Sequence, residues 1–440
     1  MKIAAVIHQF PPDFETGTEV LCLATMQALA ARGHDVLVFA ADPHRAAGEA
    51  PRNERVGGIA VIRIPTRLPR RLTLARRLVD EFSNPAAQAL LLREVTAFGP
   101  DVIHGYQALQ FGLAALPRLA GIAPLVLTAT DFHLACPSVT GAFEDGSACP
   151  GSQADGQSCL MHVEAREAAR IAAAAGWRGL ALKLRAGLAR AIPGLDGPGR
   201  RRTAMQARQA ASRAALQAAS AILAGSARIR EMLVGAGAPP DTTELFAHAA
   251  PPVAVPERPI GETLRVAFFG TLSPHKGPHV LLDAIPLLAA ETRLSFTICG
   301  PPGPDAAYAQ EIIARCTALA RTTYRPAVAN AAFGALMGEA DIVALPSLWE
   351  ENRPLTLLTA LEAGRYAVTS DSAGLAGELQ GGGETFPAGD AGALAAILRR
   401  LAADPRPVHA VRRNPVRQPA FAPYIEALER RLATAAEARR

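Results

Sequence analysis

The chain has 440 residues, of which 50% are hydrophobic and 19% are charged, and this composition excludes an intrinsically disordered protein. Its length suffices for two domains, each with a hydrophobic core of its own. The net charge of +5 and the isoelectric point near 9.0 are compatible with anionic ligands or with an anionic membrane surface. We expect no nucleic-acid partner.

The N-terminal apolar run is too short for a secretory signal peptide, because it stops at His8, Gln9 and a pair of prolines. No stretch of the sequence approaches the run of about 18 apolar residues that marks a membrane-spanning helix. We therefore expect a cytoplasmic protein whose six cysteines are reduced.

Strands and helices alternate in the first half of the sequence. Residues 2–7 and 35–40 predict short buried strands, and residues 19–33 predict a helix between them that ends at a glycine. This order is typical of a βαβ unit, so it predicts a parallel sheet. Residues 101–107 and 123–130 predict two more strands of that sheet.

A proline-rich stretch, residues 249–261, precedes a second series of strands and helices. The strands predicted there are residues 265–270, 294–300, 341–347 and 366–370. We therefore predict two α/β domains, residues 1–250 and 251–440, with the last helix packing back on the first domain. The predicted fold class is two Rossmann-like domains facing across a cleft, with ligands bound outside the carboxyl ends of the strands.

The first domain is expected to contain a cysteine-rich loop, residues 131–162, and a basic helical insertion, residues 164–215. The insertion has an apolar stripe at helical spacing, formed by Trp177, Leu180, Leu184, Leu188 and Ile192, among the basic residues Arg178, Lys183, Arg185 and Arg190. One interpretation is a solvated amphipathic helix packed on the domain. The other is a helix lying on an anionic membrane with the tryptophan at the interface, which would place the protein on the inner face of the membrane.

The loop GTLSPHKG, residues 270–277, joins a predicted strand to a predicted helix. Lys276 stands at the start of that helix, where free backbone N–H groups already favour an anion, so the loop suits a diphosphate. It is not a P-loop, because the glycine spacing differs and no Ser or Thr follows the lysine. The alternative interpretation is an exposed lysine in a turn.

Two adjacent carboxylates, Glu350 and Glu351, follow the predicted strand ADIVALP and precede Pro354. One interpretation is capping, since acidic side chains interact favourably with the start of a helix and proline suits its first turn. The other interpretation is that Glu351 accepts hydrogen bonds from the hydroxyl groups of a sugar, because each carboxylate oxygen can accept more than one.

Three motifs together resemble the GT-B retaining glycosyltransferases of family 4, also called glycosyl transferases group 1. They are FPPDFETGTEVLCLATMQALAARGHDV, GTLSPHKG and PSLWEENRPLTLLTALEAG, and they extend over nearly the whole chain. The resemblance implies that the N-terminal domain binds an acceptor and that the C-terminal domain binds a nucleotide-sugar, such as a UDP- or GDP-sugar. It also implies that transfer requires no metal or other cofactor.

The same resemblance implies roles for single residues. Lys276 corresponds to the family's diphosphate-binding lysine, and Glu351 corresponds to the first glutamate of an E-x7-E motif that contacts the transferred sugar. Gly17 matches a glycine-rich loop of the acceptor domain near the donor phosphates. The expected donor-binding residues are Gly17, Gly270, Thr271, Lys276, Glu351, Asn352, Leu355, Thr359 and Gly374.

Three positions depart from the family pattern. Thr359 stands where the second glutamate of E-x7-E usually holds the ribose hydroxyls, so a charge-assisted hydrogen bond worth about 1 kcal/mol or more is lost. Thr130 replaces a histidine close to the reacting sugar, and Thr271 replaces an arginine of the lysine loop. Glu362, three residues after Thr359, is a candidate replacement for the missing ribose ligand.

The acceptor side is expected to contain Asp131, His133, His8 and His104. Three roles are open for Asp131: it orients the acceptor, it accepts the proton of the acceptor, or it caps a loop. Retaining transfer in this family is thought to use the leaving phosphate to deprotonate the acceptor, so stabilisation of the diphosphate charge carries much of the catalysis. The candidate catalytic residues are Asp131, Lys276 and Glu351.

Cys136, Cys149, Cys159 and His162 lie within one irregular segment. Three cysteines and one histidine suit a tetrahedral structural zinc site. A disulfide pair and three free thiols are the alternatives. The other three cysteines lie in apolar contexts, which predicts that they are small buried hydrophobic side chains.

The predicted function is transfer of a sugar from a nucleotide-sugar to an acceptor hydroxyl with retention, by an enzyme of the hexosyltransferase type. The acceptor would be a lipid-linked saccharide, a polysaccharide or glycoconjugate precursor, or a small metabolite. The replacements at Thr359 and Thr130 leave a second hypothesis open, a catalytically degenerate GT-B protein that binds a ligand or a partner. A nucleotide-sugar epimerase or hydrolase is a third hypothesis.

Overall fold

The structure is a computed structural model. It describes residues 1–438 except 70, 72, 144–148, 152–155, 174–179, 181–182, 185–186, 188–195, 304 and 372–373. Most of the predicted membrane-facing stripe, including Trp177, Leu188 and Ile192, therefore lies outside the described residues. The described chain divides into two compact units, the first with residues 1–143, 149–247 and 425–438 and the second with residues 248–424.

The first unit is built on an eight-stranded sheet with the order β3-β4-β2-β1-β5-β6-β7-β8, in which only β3 runs antiparallel to its neighbour. The strands are β1 (Lys2–Ile7), β2 (Asp35–Ala46), β3 (Arg52–Val56), β4 (Ile59–Arg67), β5 (Val102–Gly105), β6 (Leu125–Ala129), β7 (Ala221–Ala224) and β8 (Thr243–Leu245). The central strands are apolar and buried along their length, as expected for parallel strands covered on both faces.

Helices cover this sheet. They are α1 (Gly17–Ala31), α2 (Leu74–Phe82), α3 (Pro85–Phe98), α4 (Ala115–Ile122), α5 (Gln157–Ala173), α6 (Pro198–Ala218) and α7 (Ala227–Gly235), with a 3-10 turn at Pro240–Thr242. Ala215 and Leu216 of α6 are fully buried in the main core, and Met205 packs with Leu78 of α2. The described C-terminal part of the predicted insertion is thus an integral layer of the unit rather than an appendage.

The second unit contains a six-stranded parallel sheet with the order β11-β10-β9-β12-β13-β14. Its strands are β9 (Leu264–Phe269), β10 (Leu294–Cys299), β11 (Thr322–Arg325), β12 (Ile342–Leu345), β13 (Tyr366–Ser370) and β14 (Gly383–Phe386). Its helices are α8 (Pro278–Ala284), α9 (Ala306–Ala318), α10 (Asn330–Gly338), α11 (Leu355–Glu362), α12 (Ala376–Leu379), α13 (Ala391–Ala403) and α14 (Arg406–Arg413), with 3-10 turns at Pro274–Lys276 and Pro286–Leu288.

The last helix, α15 (Phe421–Glu437), returns to the first unit from Ile425 onward. Glu429 of this helix accepts from Arg32 Nε at 2.7 Å and lies 2.7 Å from His34 Nε2. The prediction of two Rossmann-like parallel α/β folds is confirmed. Within the described ranges, no helix combines the length and the apolar character that crossing a membrane requires.

Candidate active site

Lys276 and Glu351 form an ion pair at the carboxyl edge of the second sheet. Lys276 Nζ lies 2.8 Å from Oε1 and 2.9 Å from Oε2 of Glu351. Ser347 Oγ donates to Oε1 of the same carboxylate at 2.6 Å, and the Trp349 ring centroid lies 4.8 Å from Nζ. The lysine follows β9 and the glutamate follows the adjacent strand β12, so the parallel sheet brings the two sequence motifs together.

The Glu351 carboxylate is ionised at neutral pH although it is only 5% exposed. Burial alone would raise its pKa, but the charge of Lys276 and hydrogen bonds from Lys276 and Ser347 hold the pKa below the ordinary value. A diphosphate that reaches Lys276 must therefore compete with this carboxylate, or share the ammonium group with it.

The loop that carries Lys276 is fixed by its neighbours. Gly270 N–H donates to Cys299 O at 3.0 Å, and Leu348 N–H donates to His275 O at 2.8 Å. Gly277 has a φ of +67°, and a Cβ there would lie 1.9 Å from the carbonyl oxygen of Pro346. Only glycine permits this approach, which sets the C-terminal end of the lysine loop against the end of β12.

A second set of contacts fixes the loop between Glu351 and α11. Arg353 has a φ of +50°, is 8% exposed, and donates from Nε to His248 O at 2.7 Å. Its guanidinium also forms an ion pair with Glu378, and its own carbonyl oxygen lies 2.9 Å from His248 Nε2. Burial lowers the pKa of His248 to about 4, so the neutral ring donates to this carbonyl. Neither Arg353 nor His248 was predicted from the sequence as a site residue.

Gly374 approaches the backbone of Glu351 closely. Its φ is +91°, and a Cβ there would lie 2.4 Å from the Glu351 carbonyl oxygen. We expect Gly374→Ala to lower the free energy of unfolding by about 1–3 kcal/mol and to weaken nucleotide binding, because the loop must move. Denaturant titration and calorimetric binding of UDP, GDP and ADP would measure both effects.

Gly377→Ala is the matched control for that substitution, because no atom lies within 4 Å of a Cβ at residue 377. We expect it to be neutral or slightly stabilising, since alanine is favoured over glycine in a helix. Equal behaviour of the two variants would contradict the proposed close contact at Gly374.

The helix α11 carries the remaining predicted donor residues. Leu355 is its first residue, Asn352 is half-buried just before it, and Thr359 is 7% exposed. Glu362 accepts from the backbone N–H of Gln418 at 3.0 Å and is also within reach of Arg417 at 3.5 Å. These partners engage the carboxylate, so Glu362 is not a good substitute for the glutamate that Thr359 replaces.

Asp131 lies at the carboxyl edge of the first sheet, where β1, β5 and β6 are neighbours. Its carboxylate accepts from the backbone N–H of His133 at 2.8 Å and from the side-chain amide of Gln107. Thr18 Oγ1, near the start of α1, donates to Thr130 Oγ1 at 2.9 Å. The Asp131 residue as a whole keeps part of its surface exposed within this polar group.

The surroundings make Asp131 an unusually weak acid. Burial raises its pKa to about 7, the negative charge of Glu19 adds to this, and the His133 N–H opposes it. A carboxyl group with a pKa near the working pH suits proton transfer as well as hydrogen bonding to a hydroxyl.

Glu19 was not predicted as a site residue, although the sequence shows that it completes the capping-box pattern T-x-x-E with Thr16. It is fully buried, and Thr16 N–H donates to its Oε2 at 3.1 Å. His8 Nε2 lies 3.3 Å from Oε1 of Glu19, directly after β1. Burial lowers the pKa of His8 more than Glu19 raises it.

The structure buries two of the other predicted acceptor-side residues. His104 is fully buried within β5, 2.7 Å from Thr128 Oγ1, and burial lowers its pKa to about 3. His133 is 1% exposed, and burial also lowers its pKa. Both environments are those of structural histidines. Gly17, which was predicted as a donor-binding residue, is exposed at the start of α1 with open space beside it.

Family models match both parts of the sequence. A model described as Glycosyl transferases group 1 matches residues 263–404, and one described as Glycosyltransferase Family 4 matches residues 16–129. Together the two matches cover more than half of the chain. The chain belongs to these glycosyltransferases. The first match contains Lys276 and Glu351 of this glycosyltransferase, and the second contains Gly17 and ends just before Asp131.

Solved structures share the fold over nearly the full length. Sucrose-phosphate synthase from Thermosynechococcus elongatus has a TM-score of 0.63 at 15% identity, covering 97% of this chain and 95% of that one. Anabaena HepE in complex with UDP and glucose has a TM-score of 0.60 at 17% identity, covering all of both chains. The catalytic domain of starch synthase IV from Arabidopsis thaliana, bound to ADP and acarbose, has a TM-score of 0.61 at 13% identity, covering 99% of each.

At these identities the likeness establishes the GT-B fold of the glycosyltransferase and confirms the predicted fold class. Comparison with curated protein sequences gave no significant match.

Proposed function

We propose that this glycosyltransferase moves a hexose from a UDP- or GDP-sugar to an acceptor hydroxyl with retention of anomeric configuration. The observation that carries the proposal is the Lys276–Glu351 pair, a cation and a carboxylate 2.8 Å apart at the edge of a parallel sheet. The structures similar to it include proteins solved with UDP, UDP-glucose and ADP, which supports a nucleoside diphosphate donor.

Each member of the pair has a separate task in this proposal. The Lys276 ammonium neutralises the diphosphate as it leaves, and fixed charges of this kind are among the largest contributions to catalysis. Glu351, ionised and held by Ser347, accepts hydrogen bonds from the hydroxyls of the transferred sugar. Donor binding then requires the lysine to shift part of its contact from the carboxylate to the phosphate.

Asp131 serves the acceptor in this proposal. Its carboxyl group accepts a hydrogen bond from the attacking hydroxyl and orients it, while the departing phosphate takes the proton. The acceptor would be a lipid-linked saccharide, a polysaccharide or glycoconjugate precursor, or a small metabolite.

The direct test combines the purified chain with UDP-, GDP- and ADP-sugars and a panel of acceptor saccharides. Proton NMR of the product would show transfer and its anomeric configuration, and Glu351→Gln should lose most of the transfer. An inverted product would overturn retention. Release of free sugar, or formation of its epimer, without any acceptor would favour the hydrolase or epimerase hypothesis.

Thr359→Glu tests whether a ribose pocket exists beside α11. A carboxylate there is expected to tighten binding of the nucleoside diphosphate about tenfold, or about 1.4 kcal/mol, by accepting from the ribose hydroxyls. Thr356→Glu on the same helix is the matched control, and a dideoxyribose analogue should lose the gain. If the chain binds no nucleotide even as Thr359→Glu, the degenerate binding protein becomes the better hypothesis.

The basic helical insertion, residues 164–215, supports a further part of the proposal, which is attachment to an anionic membrane surface. We expect that changing Arg178, Lys183, Arg185 and Arg190 to Gln abolishes co-sedimentation with vesicles that contain phosphatidylglycerol. The control variant has Gln at four exposed arginines elsewhere and so loses the same charge; these are Arg93, Arg400, Arg406 and Arg417. Equal binding by both variants would exclude the segment as the membrane contact. Deleting residues 164–215 would be a poor test, because α6 belongs to the core.

A further inference from the structure

Three cysteines and a histidine line one small pocket of the first unit. Cys136, Cys149, Cys159 and His162 share this pocket with Ala135, Pro137, Ser138 and Met232. Cys136 and Cys149 precede α5 and the other two lie on it, so the path of the chain between residues 136 and 162 brings the four together.

Backbone contacts place two of the four residues, and a helix places the other two. Cys136 N–H donates to Phe132 O at 2.6 Å, and Cys149 N–H donates to Gly141 O at 2.8 Å. Arg228 of α7 donates to the carbonyl oxygen of Cys149. Cys159 and His162 are three residues apart on α5, so they lie on one face of that helix.

The chemistry of this set favours a soft transition metal. Thiolates and imidazole are the donors that tetrahedral zinc prefers, and three thiolates with one zinc ion leave a net charge of −1. The guanidinium of Arg208 is fully buried and interacts electrostatically with both Cys136 and Cys159. This buried cation, which also pairs with Glu81 at 3.0 Å, can offset part of that negative charge.

We propose that this pocket is a structural zinc site with Cys136, Cys149, Cys159 and His162 as its four ligands. Binding replaces three thiol protons, which are released to solvent, by three zinc–sulfur bonds. With four protein ligands the metal keeps no open position, so it acts on the fold and not in catalysis. It would tie α5 to the segment that directly follows Asp131.

The ligands must close on the metal by side-chain rotation. Across the described ranges, no group of three or more His, Cys, Asp and Glu side chains already has the spacing that a metal ion needs. Zinc–sulfur bonds of about 2.3 Å and a zinc–nitrogen bond of about 2.0 Å would draw the four side chains inward. Cys136, Cys149 and His162 are only half-buried, which leaves them room to turn.

Metal content of the full chain tests the proposal. Protein expressed in zinc-supplemented medium and never exposed to a chelator should contain about one zinc per chain. Cys149→Ala should lose most of this zinc, whereas Cys316→Ala, a buried cysteine of α9 in the second unit, should keep it. Nucleotide binding by Cys149→Ala should stay unchanged, which separates this test from that of the proposed transferase activity.

A second measurement does not depend on any variant. X-ray absorption of the zinc-loaded wild-type chain should show three sulfur neighbours and one nitrogen neighbour, and cobalt substitution should give a thiolate charge-transfer band. Zinc far below one equivalent would overturn the proposal. Thiol titration would then show whether the cysteines are free thiols or whether two of them form a disulfide. A ligand shell of oxygen and nitrogen alone would overturn it too.

Discussion

Lys276→Ala is expected to remove the thermal stabilisation that nucleoside diphosphates give to this glycosyltransferase. A ligand at about 100 times its dissociation constant adds about 2.7 kcal/mol to the free energy of unfolding. Because the ammonium is the charge aimed at the diphosphate, most of that gain should vanish in the variant. Thermal unfolding with and without UDP, GDP and ADP measures it, and Lys183→Ala is a control at an exposed lysine.

The same substitution should lower the stability of the chain without ligand. It leaves the Glu351 carboxylate 5% exposed without its cation, and breaking such a pair costs about 3 kcal/mol. The double variant Lys276→Ala with Glu351→Gln should recover most of this loss but not the nucleotide response. A nucleotide shift that survives in the double variant would show that the donor site lies elsewhere.

Asp131→Asn is expected to lower the transfer rate about a hundredfold while leaving donor binding intact. The amide keeps the shape of the side chain but cannot accept from the acceptor hydroxyl with a full charge. Asp13→Asn, at an exposed position, is the control. A rate that falls in proportion to lost donor affinity would contradict a role on the acceptor side.

The pH profile gives an independent check on Asp131. Burial and Glu19 raise its pKa to about 7 from an ordinary 3.8, so wild-type transfer should increase as the pH rises through 7, and Asp131→Asn should lack this step.

The same pKa affects stability. Between about pH 4 and 7 the Asp131 carboxyl is protonated in the folded state but not in the unfolded state. The contribution of Asp131 to stability therefore falls over that range as pH rises. Asp131→Asn should be at least as stable as wild type at pH 8.

The sequence predicted four of the six strands of the second sheet because the signals there are local. Residues 366–370 form β13 as predicted, and the lysine loop and Glu351 each follow a predicted strand. Their contact requires β9 to lie beside β12, although β10 and β11 come between these strands in sequence, and the predicted strands alone do not give this order. His248 and Arg353 were missed because their contact joins residues 105 positions apart, and no periodicity reports such a contact.

The hairpin of β3 and β4 was missed for a different reason. Gly57 and Gly58 form its two-residue turn, which is a recognisable signal, but β3 is polar and largely exposed, so it lacks an apolar pattern.

His104 is the opposite case, a predicted site residue that the structure places in the core. It was predicted on the acceptor side, whereas the sheet buries it completely beside Thr128.

The return of α15 to the first unit makes that unit discontinuous in sequence. The ion pair between Arg32 and Glu429 joins residues 397 positions apart, and Arg431 adds another to Glu244 at 2.8 Å. During synthesis, an N-terminal unit normally folds as soon as it emerges from the ribosome. Here the last helix of the first unit is translated only after the entire second unit. Truncations near the C-terminus should therefore destabilise the unit that is translated first.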